Sequence, residues 1–216
     1  MKKKFLSGAR ALAYKSLSTL TLDPCMIKDY INEALVSLAL SFKVMSDFNL
    51  EVAPIIRKLE DLAGLYDWGF SGEFEKRLCI EHKACFEAGC QFKERFYTKM
   101  GFEDLMRDLQ SSYSRVGYSY NRDADELGVE LGFMEKTAEL EYEYALQHRY
   151  RDALDVIYIE RNMLKKHIIP FSKSLIDCIS KAEGGVYRVI LNIALNYTLI
   201  DEGLLENLSR EYEKYA

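Results

Sequence analysis

The chain has 216 residues, 49% of them hydrophobic and 29% charged, with a net charge of −5. That is enough apolar material for one domain or two closely packed ones, and it excludes a disordered chain. The acidic balance, with no basic stripe, excludes nucleic acid as a partner, and no window approaches the ~20 consecutive apolar residues of a membrane span.

Met1-Lys2-Lys3-Lys4-Phe5-Leu6 has the charged start of a secretory signal. Arg10 and Lys15 interrupt the apolar run that should follow, so the segment reads as a mature N-terminus. Residues 8–20 read as a short helix with Leu12, Leu17 and Leu20 available for burial. Asp23-Pro24 is a start signal, with Asp as N-cap and Pro in the first turn. The helix it opens is expected to run to Ser46 with Ile27, Ile31, Leu35, Leu38 and Phe42 on one face. Asn49 or Glu51 opens the next, which carries Pro54 in its first turn and then Ile55, Leu59, Leu62 and Leu65. A loop at Tyr66-Asp67-Trp68-Gly69 follows. Ser71 is the expected cap of a helix from Glu73 that bears Phe74, Leu78, Phe86 and several cysteines. A break at residues 97–101 precedes a helix from Phe102 to about Tyr118.

Asn121-Arg122-Asp123-Ala124-Asp125 is a polar turn of residues that bond their own backbone. Leu127, Leu131, Met134 and Ala138 then recur at helical spacing, with Asp123 or Asp125 as the natural N-cap. One helix is expected from about Asp125 to Gln147 and another from Tyr150 to about Lys166. His167 and Pro170 mark the start of a third, and Gly184-Gly185 ends it. Val186–Ile200 is the most apolar segment, and Glu202–Tyr215 reads as a polar terminal helix. Every segment has a period near 3.6 and none alternates as a strand would. The expectation is an all-α bundle of about nine to ten helices. It has an N-terminal part (1–120) and a C-terminal part (121–216), joined by a hinge near residues 117–125 within one compact domain.

The junction is also lopsided in charge. From Arg122 to Glu143 there are eight acids against two bases, Arg122 and Lys136. The plain reading is a solvated helix face; the alternative is a field that draws a basic partner.

Tyr113, Gly117, Asp125, Leu127, Glu130, Leu131, Phe133 and Met134 resemble the hinge motif of the TorD-like family, cytoplasmic chaperones for molybdoenzymes exported through the twin-arginine pathway. The family's Pro and His are replaced here, since the loop reads Ala124-Asp125-Glu126-Leu127. His167-Ile168-Ile169-Pro170-Phe171 is similar to a second family segment, His-Leu-x-x-Trp. Tyr187 and the apolar run ending near Asp201 resemble its closing helices. The resemblance covers residues 100–205 by motif and the first hundred by helical pattern alone.

It implies a cytoplasmic, non-catalytic protein with no cofactor of its own. Its partners would be the twin-arginine leader and the apo-form of a molybdenum or tungsten oxidoreductase, held for cofactor insertion before export. On that reading Asp123, Asp125, Glu126 and Glu130 form an acidic rim for the leader's guanidinium groups. Asp125 and Glu130 carry most of the recognition, while Tyr113, Tyr118 and His167 flank a groove for the apolar part. The plain reading makes Asp125 a cap, Glu130 a surface charge, the tyrosines core residues and His167 a ring that satisfies a helix end. The hinge permits a monomer or a domain-swapped dimer.

No Glu-x-x-His pair, His-Glu-x-x-His, His-Asp, P-loop or Gly-x-Ser-x-Gly is present, so no enzyme is expected. Five cysteines without framework spacing are expected as reduced thiols. Cys79, His82 and Cys85 step by three, with Cys90 beyond, and form the one candidate zinc set. Two alternatives therefore stand beside the chaperone: a helical adaptor for another protein, and a small-ligand or metal-binding bundle.

Overall fold

The structure, a computed structural model, describes residues 2–26, 30–48, 51–65, 72–181 and 185–216. Ile27, Asn49, the Tyr66–Gly69 loop, Ser71, Gly184 and the side chain of Leu65 lie outside the described residues. The elements are α1 (Lys2–Thr21), α2 (Ile31–Ser46), α3 (Ala53–Leu65), α4 (Glu73–Glu87), α5 (Phe102–Arg115), α6 (Leu127–Leu146), α7 (Tyr150–Met163), α8 (Ile169–Ile179) and α9 (Gly185–Tyr212). Among the described residues the only extended pairing is an isolated antiparallel bridge between Lys93 and Glu126.

The chain divides into fewer rods than the sequence suggests. A π-helical turn, Leu164–Ile168, carries α7 directly into α8. Pro170 is tolerated there because it falls in the first turn of α8. The two segments expected at the C-terminus are one 28-residue helix. Asp23 Oδ1 accepts from Cys25 N–H at 2.9 Å, and α2 begins at Ile31. Of the apolar residues on α4, Phe74 and Leu78 are buried and Phe86 faces solvent.

One hydrophobic cluster runs from Leu6 to Tyr212 and joins both parts of the chain. α1 lies at its centre, packed on α6 and α2; α9 closes the far side against α7, α8, α4 and α3. The α1–α6 approach depends on two glycines. A Cβ on Gly128 would sit 2.6 Å from Leu22 Cδ2 and 3.2 Å from the Ser18 carbonyl oxygen. One on Gly132 would sit 2.6 Å from the Tyr118 hydroxyl oxygen. The space they leave lets Ser18 Oγ donate to the Gly128 carbonyl at 2.6 Å and Tyr118 to the Val129 carbonyl at 3.1 Å. At the junction Gly117 adopts φ +66°, the left-handed conformation that ends α5.

The cysteines correct the expectation of reduced thiols. Cys25 is bridged to Cys79 and Cys90 to Cys178, and only Cys85, buried, is free. The bridges join segments 54 and 88 residues apart, a relation that sequence spacing does not reveal. No helix among the described residues is long and apolar enough to cross a membrane.

Candidate functional site

The polar turn before α6 is the floor of the site. Residues 91–97, which follow α4, form a strap across it. Gly89, at φ +87°, turns the chain out of α4, and Cys90 then ties the strap's start to α8. The strap pairs with the turn through Glu94 N–H to the Asp125 carbonyl at 2.8 Å and Leu127 N–H to the Phe92 carbonyl at 3.3 Å.

Side chains complete the seal. Arg95 grips the Asp125 carboxylate in a fork, Nε to Oδ2 at 2.7 Å and Nη2 to Oδ1 at 2.5 Å, and its backbone N–H adds a third bond at 3.1 Å. This fork raises the Arg95 pKa. The guanidinium lies 4.8 Å from the centre of the Phe102 ring. Lys93 Nζ is 2.5 Å from Asp123, and its hydrogen bond holds that carboxyl below the usual range. Arg122 pairs with Glu126 at 3.0 Å. The two aspartates are thus committed to the strap rather than to capping α6, whose N-cap is Glu126, with no side-chain cap bond.

Behind the strap lies a buried acid–imidazole nest. Glu94 accepts from His167 Nδ1 at 3.0 Å, and His167 Nε2 stands 3.4 Å from Asp108. The π-helical turn is what aims His167 at Glu94, a geometry that the sequence does not signal. Glu130 is fully buried beside Glu94, and the two carboxyls share a hydrogen bond. Burial, then the negative charge of Glu94 and Asp125, pushes its pKa well up. Tyr113 donates to the Ala124 carbonyl at 2.7 Å, and its ring packs on Tyr118, Tyr120 and Phe133.

The seven residues expected to bind a peptide therefore divide. Asp125, Glu130, Tyr113 and His167 are enclosed, so none of them is open to a ligand in this conformation. Asp123, at 46% exposure, with Glu126 and Tyr118, reaches the surface. The acidic rim drawn from sequence is locally neutralised by Lys93 and Arg95, which lie some thirty residues away in the chain. Periodicity could not flag them, because the strap holds only a single bridge residue, Lys93, and a three-residue 3₁₀ turn, Glu94–Phe96. The candidate zinc set is also dismantled. Cys79 and Cys90 are in different bridges, His82 stacks on Phe92 at 4.5 Å, and among the described residues no group of three or more ligands could hold a metal.

Sequence reasoning missed a second charged cluster, which ties α1 to α6, α7 and α9. Arg10 donates to Asp201 at 2.6 and 3.1 Å, to Glu141 at 3.2 Å and to Glu160 at 2.9 Å. Tyr14 donates to Asp201 at 2.7 Å and Tyr212 to Glu141 at 2.5 Å. The side chains of Arg10, Glu141, Glu160 and Asp201 are all fully buried.

On its outer flank α6 is open. Glu135, Glu139, Tyr142 and Glu143 face Gly8, Ala11, Leu12 and Lys15 of α1 across a groove of about 500 Å³. Compared with protein-family models, with curated proteins and with solved structures, the chain matches none.

Proposed function

We propose that this protein is a non-catalytic, cytoplasmic chaperone of the TorD-like kind. It would bind the twin-arginine leader of a molybdenum or tungsten oxidoreductase and hold the client for cofactor insertion before export. The observation that carries the reading is a convergence. The two stretches that resemble the family, 113–134 and 167–171, lie more than thirty residues apart in sequence. Their polar members meet at one place, where Glu94 takes His167 on one side and faces Glu130 and Asp125 on the other. The surface above this nest has the right character for a basic, greasy segment. Asp123 reaches solvent 3.6 Å from Arg95, whose guanidinium lies over the exposed Phe102 ring, and Phe96 and Met100 are exposed as well. Aromatic and methionine side chains with nearby carboxylates suit arginine-bearing apolar peptides. The two cystines are compatible with a cytoplasmic site in organisms whose intracellular proteins keep disulfides.

The test is a calorimetric titration of a synthetic twin-arginine leader against the wild type, Asp123→Asn and Glu135→Gln. The reading expects binding that weakens several-fold in Asp123→Asn, weakens with added salt, and is unchanged in Glu135→Gln. No binding by the wild type or either variant would end it.

A second reading, a helical adaptor for another protein, draws on one observation. Val36, Leu40 and Val44 form an exposed apolar row along α2, at the i, i+4, i+8 spacing that a partner helix would cover. Retrieval of a client that lacks a twin-arginine leader, bound through that row, would favour it.

A further inference from the structure

We infer that the exposed row on α2 is the contact surface of a homodimer, in which α2 of one copy packs antiparallel on α2 of a second copy about a two-fold axis at the level of Leu38. The inference goes beyond the leader-binding reading and does not depend on it.

The row is a continuous stripe. Val36, Leu40 and Val44 are 54%, 55% and 36% exposed and follow one another a turn apart. The opposite face of α2 carries Leu35, Leu38 and Phe42, all buried, and the helix packs on α1 and α3. One side of α2 is thus committed to the core, and the other presents apolar side chains to water. Covering them removes that cost.

The charges select a second copy as the cover. Glu33 and Lys43 are exposed on the same side of α2 as the row, and among the described residues neither has an ion-pair partner. They stand five residues before and five after Leu38. A two-fold axis at Leu38 therefore sets Glu33 of each copy opposite Lys43 of the other, so that the dimer gains the pair twice. The same operation sets Val36 opposite Leu40 of the other copy. It also sets Ser37 opposite Ala39, both half-buried and small enough for the helices to approach closely. The face is its own complement, as an isologous contact requires. Charges at both ends of an apolar seam fix orientation in paired helices, and here they reject a parallel pairing, which would put Glu33 on Glu33 and Lys43 on Lys43. One helix with its flanks makes a small interface, below ~1,200 Å². The dimer is therefore concentration-dependent, with a Kd on the order of 10 μM.

The test is sedimentation equilibrium of the full chain from about 1 to about 200 μM. It compares the wild type with Leu40→Asp, Glu33→Lys, Lys43→Glu and the double variant Glu33→Lys/Lys43→Glu. All three positions are exposed, so each variant keeps the wild-type circular dichroism. The expected result is a monomer–dimer equilibrium in the wild type and no dimer over this range in Leu40→Asp. Each single charge reversal should weaken association about fivefold, and the double variant should restore it to within about twofold. A wild type that stays monomeric throughout would overturn the inference and return the row to the adaptor reading. A dimer indifferent to Leu40→Asp would also overturn it, since self-association would then lie elsewhere, as in an exchange of halves at the hinge. A dimer lost in Leu40→Asp but not restored in the double variant would overturn the antiparallel pairing. The leader titration above is read on its own, so its failure and the failure of this dimer are separate results.

Discussion

Arg10 is the residue on which the buried polar structure turns, since one guanidinium faces three carboxylates. Desolvation by burial pushes Glu160 up to about 8, and the Arg10 charge only partly opposes it. At neutral pH Glu160 therefore carries a proton, and Arg10 is left with Asp201 and Glu141 as its charged partners. Removing the cation, as in Arg10→Leu, strands those two carboxylates in the core. The expected loss is about 3–5 kcal/mol, read as a fall in the urea midpoint, and it should be relieved at acid pH as the carboxylates protonate. Glu160 also sets a pH dependence. Its affinity for a proton rises on folding, from the ordinary 4.5 to about 8, so the folded chain holds a proton that the unfolded chain releases. Its contribution to stability is complete below about pH 4.5 and is lost as pH climbs to about 8, by at most ~1.4 kcal/mol per pH unit. Glu130 acts in the same direction, because its carboxyl is also raised by burial. Glu160→Gln keeps the acceptor for Arg10 and removes the titration. Urea unfolding at pH 5 and pH 8 should then show a smaller drop in the variant than in the wild type.

At the scale of elements, the seam between α1 and α6 is where side-chain size is least negotiable. Gly128→Ala puts a methyl against Leu22, which can yield, and the Ser18 carbonyl, which cannot do so without moving α1. Alanine's helix preference, worth about 1 kcal/mol over glycine, opposes that cost, and a net loss of about 1–2 kcal/mol is expected. Gly203, inside α9, is the control, for a Cβ there meets nothing within 4 Å. Gly203→Ala should stabilise by up to about 1 kcal/mol. A gain at both positions in denaturant unfolding would refute the close-approach argument. Helix phase was legible in the sequence because burial follows the 3.6-residue period. Leu35, Leu38 and Phe42 are buried as expected, and so are Ile55, Leu59 and Leu62, and Leu127, Leu131, Met134 and Ala138. The strap was not legible, because a lone bridge residue and a three-residue 3₁₀ turn, Glu94–Phe96, are too short to show a period. Nor were the buried acids. Glu130 and Glu141 belong to a run that reads as a solvated face, yet both lie inside: Glu130 because α6 is enclosed on nearly every side at its N-terminal half, and Glu141 because Arg10 and Tyr212 cover it further along. Their partners stand far off in the chain: Glu141 meets Arg10 across 131 residues, and the Arg95–Asp125 pair spans 30.

The whole molecule is tied across its length by contacts that join the first residues to the last. Arg10 reaches Asp201, Glu81 accepts the Val186 and Tyr187 amides at 2.6 and 2.9 Å, and two cystines bridge α4 and its flanks to the loop before α2 and to α8. Such long-range ties constrain the unfolded chain most. In the chain-entropy account, closing loops of this size is worth roughly 4 kcal/mol each, with measured values commonly 2–4. For a chain of this length, about 1 kcal/mol moves Tm by roughly 2–4 °C. Reduction of both bridges should therefore lower Tm by at least about 8 °C. The thiol count decides the matter directly. Denatured without reductant, the protein should show a single reactive thiol, Cys85; after reduction it should show all five. Cys178→Ser should then expose Cys90 as a second thiol and cost about half of the reductive loss in Tm. Five thiols in the unreduced protein would mean that the core formed by α1, α6 and α9 holds the bundle together unaided.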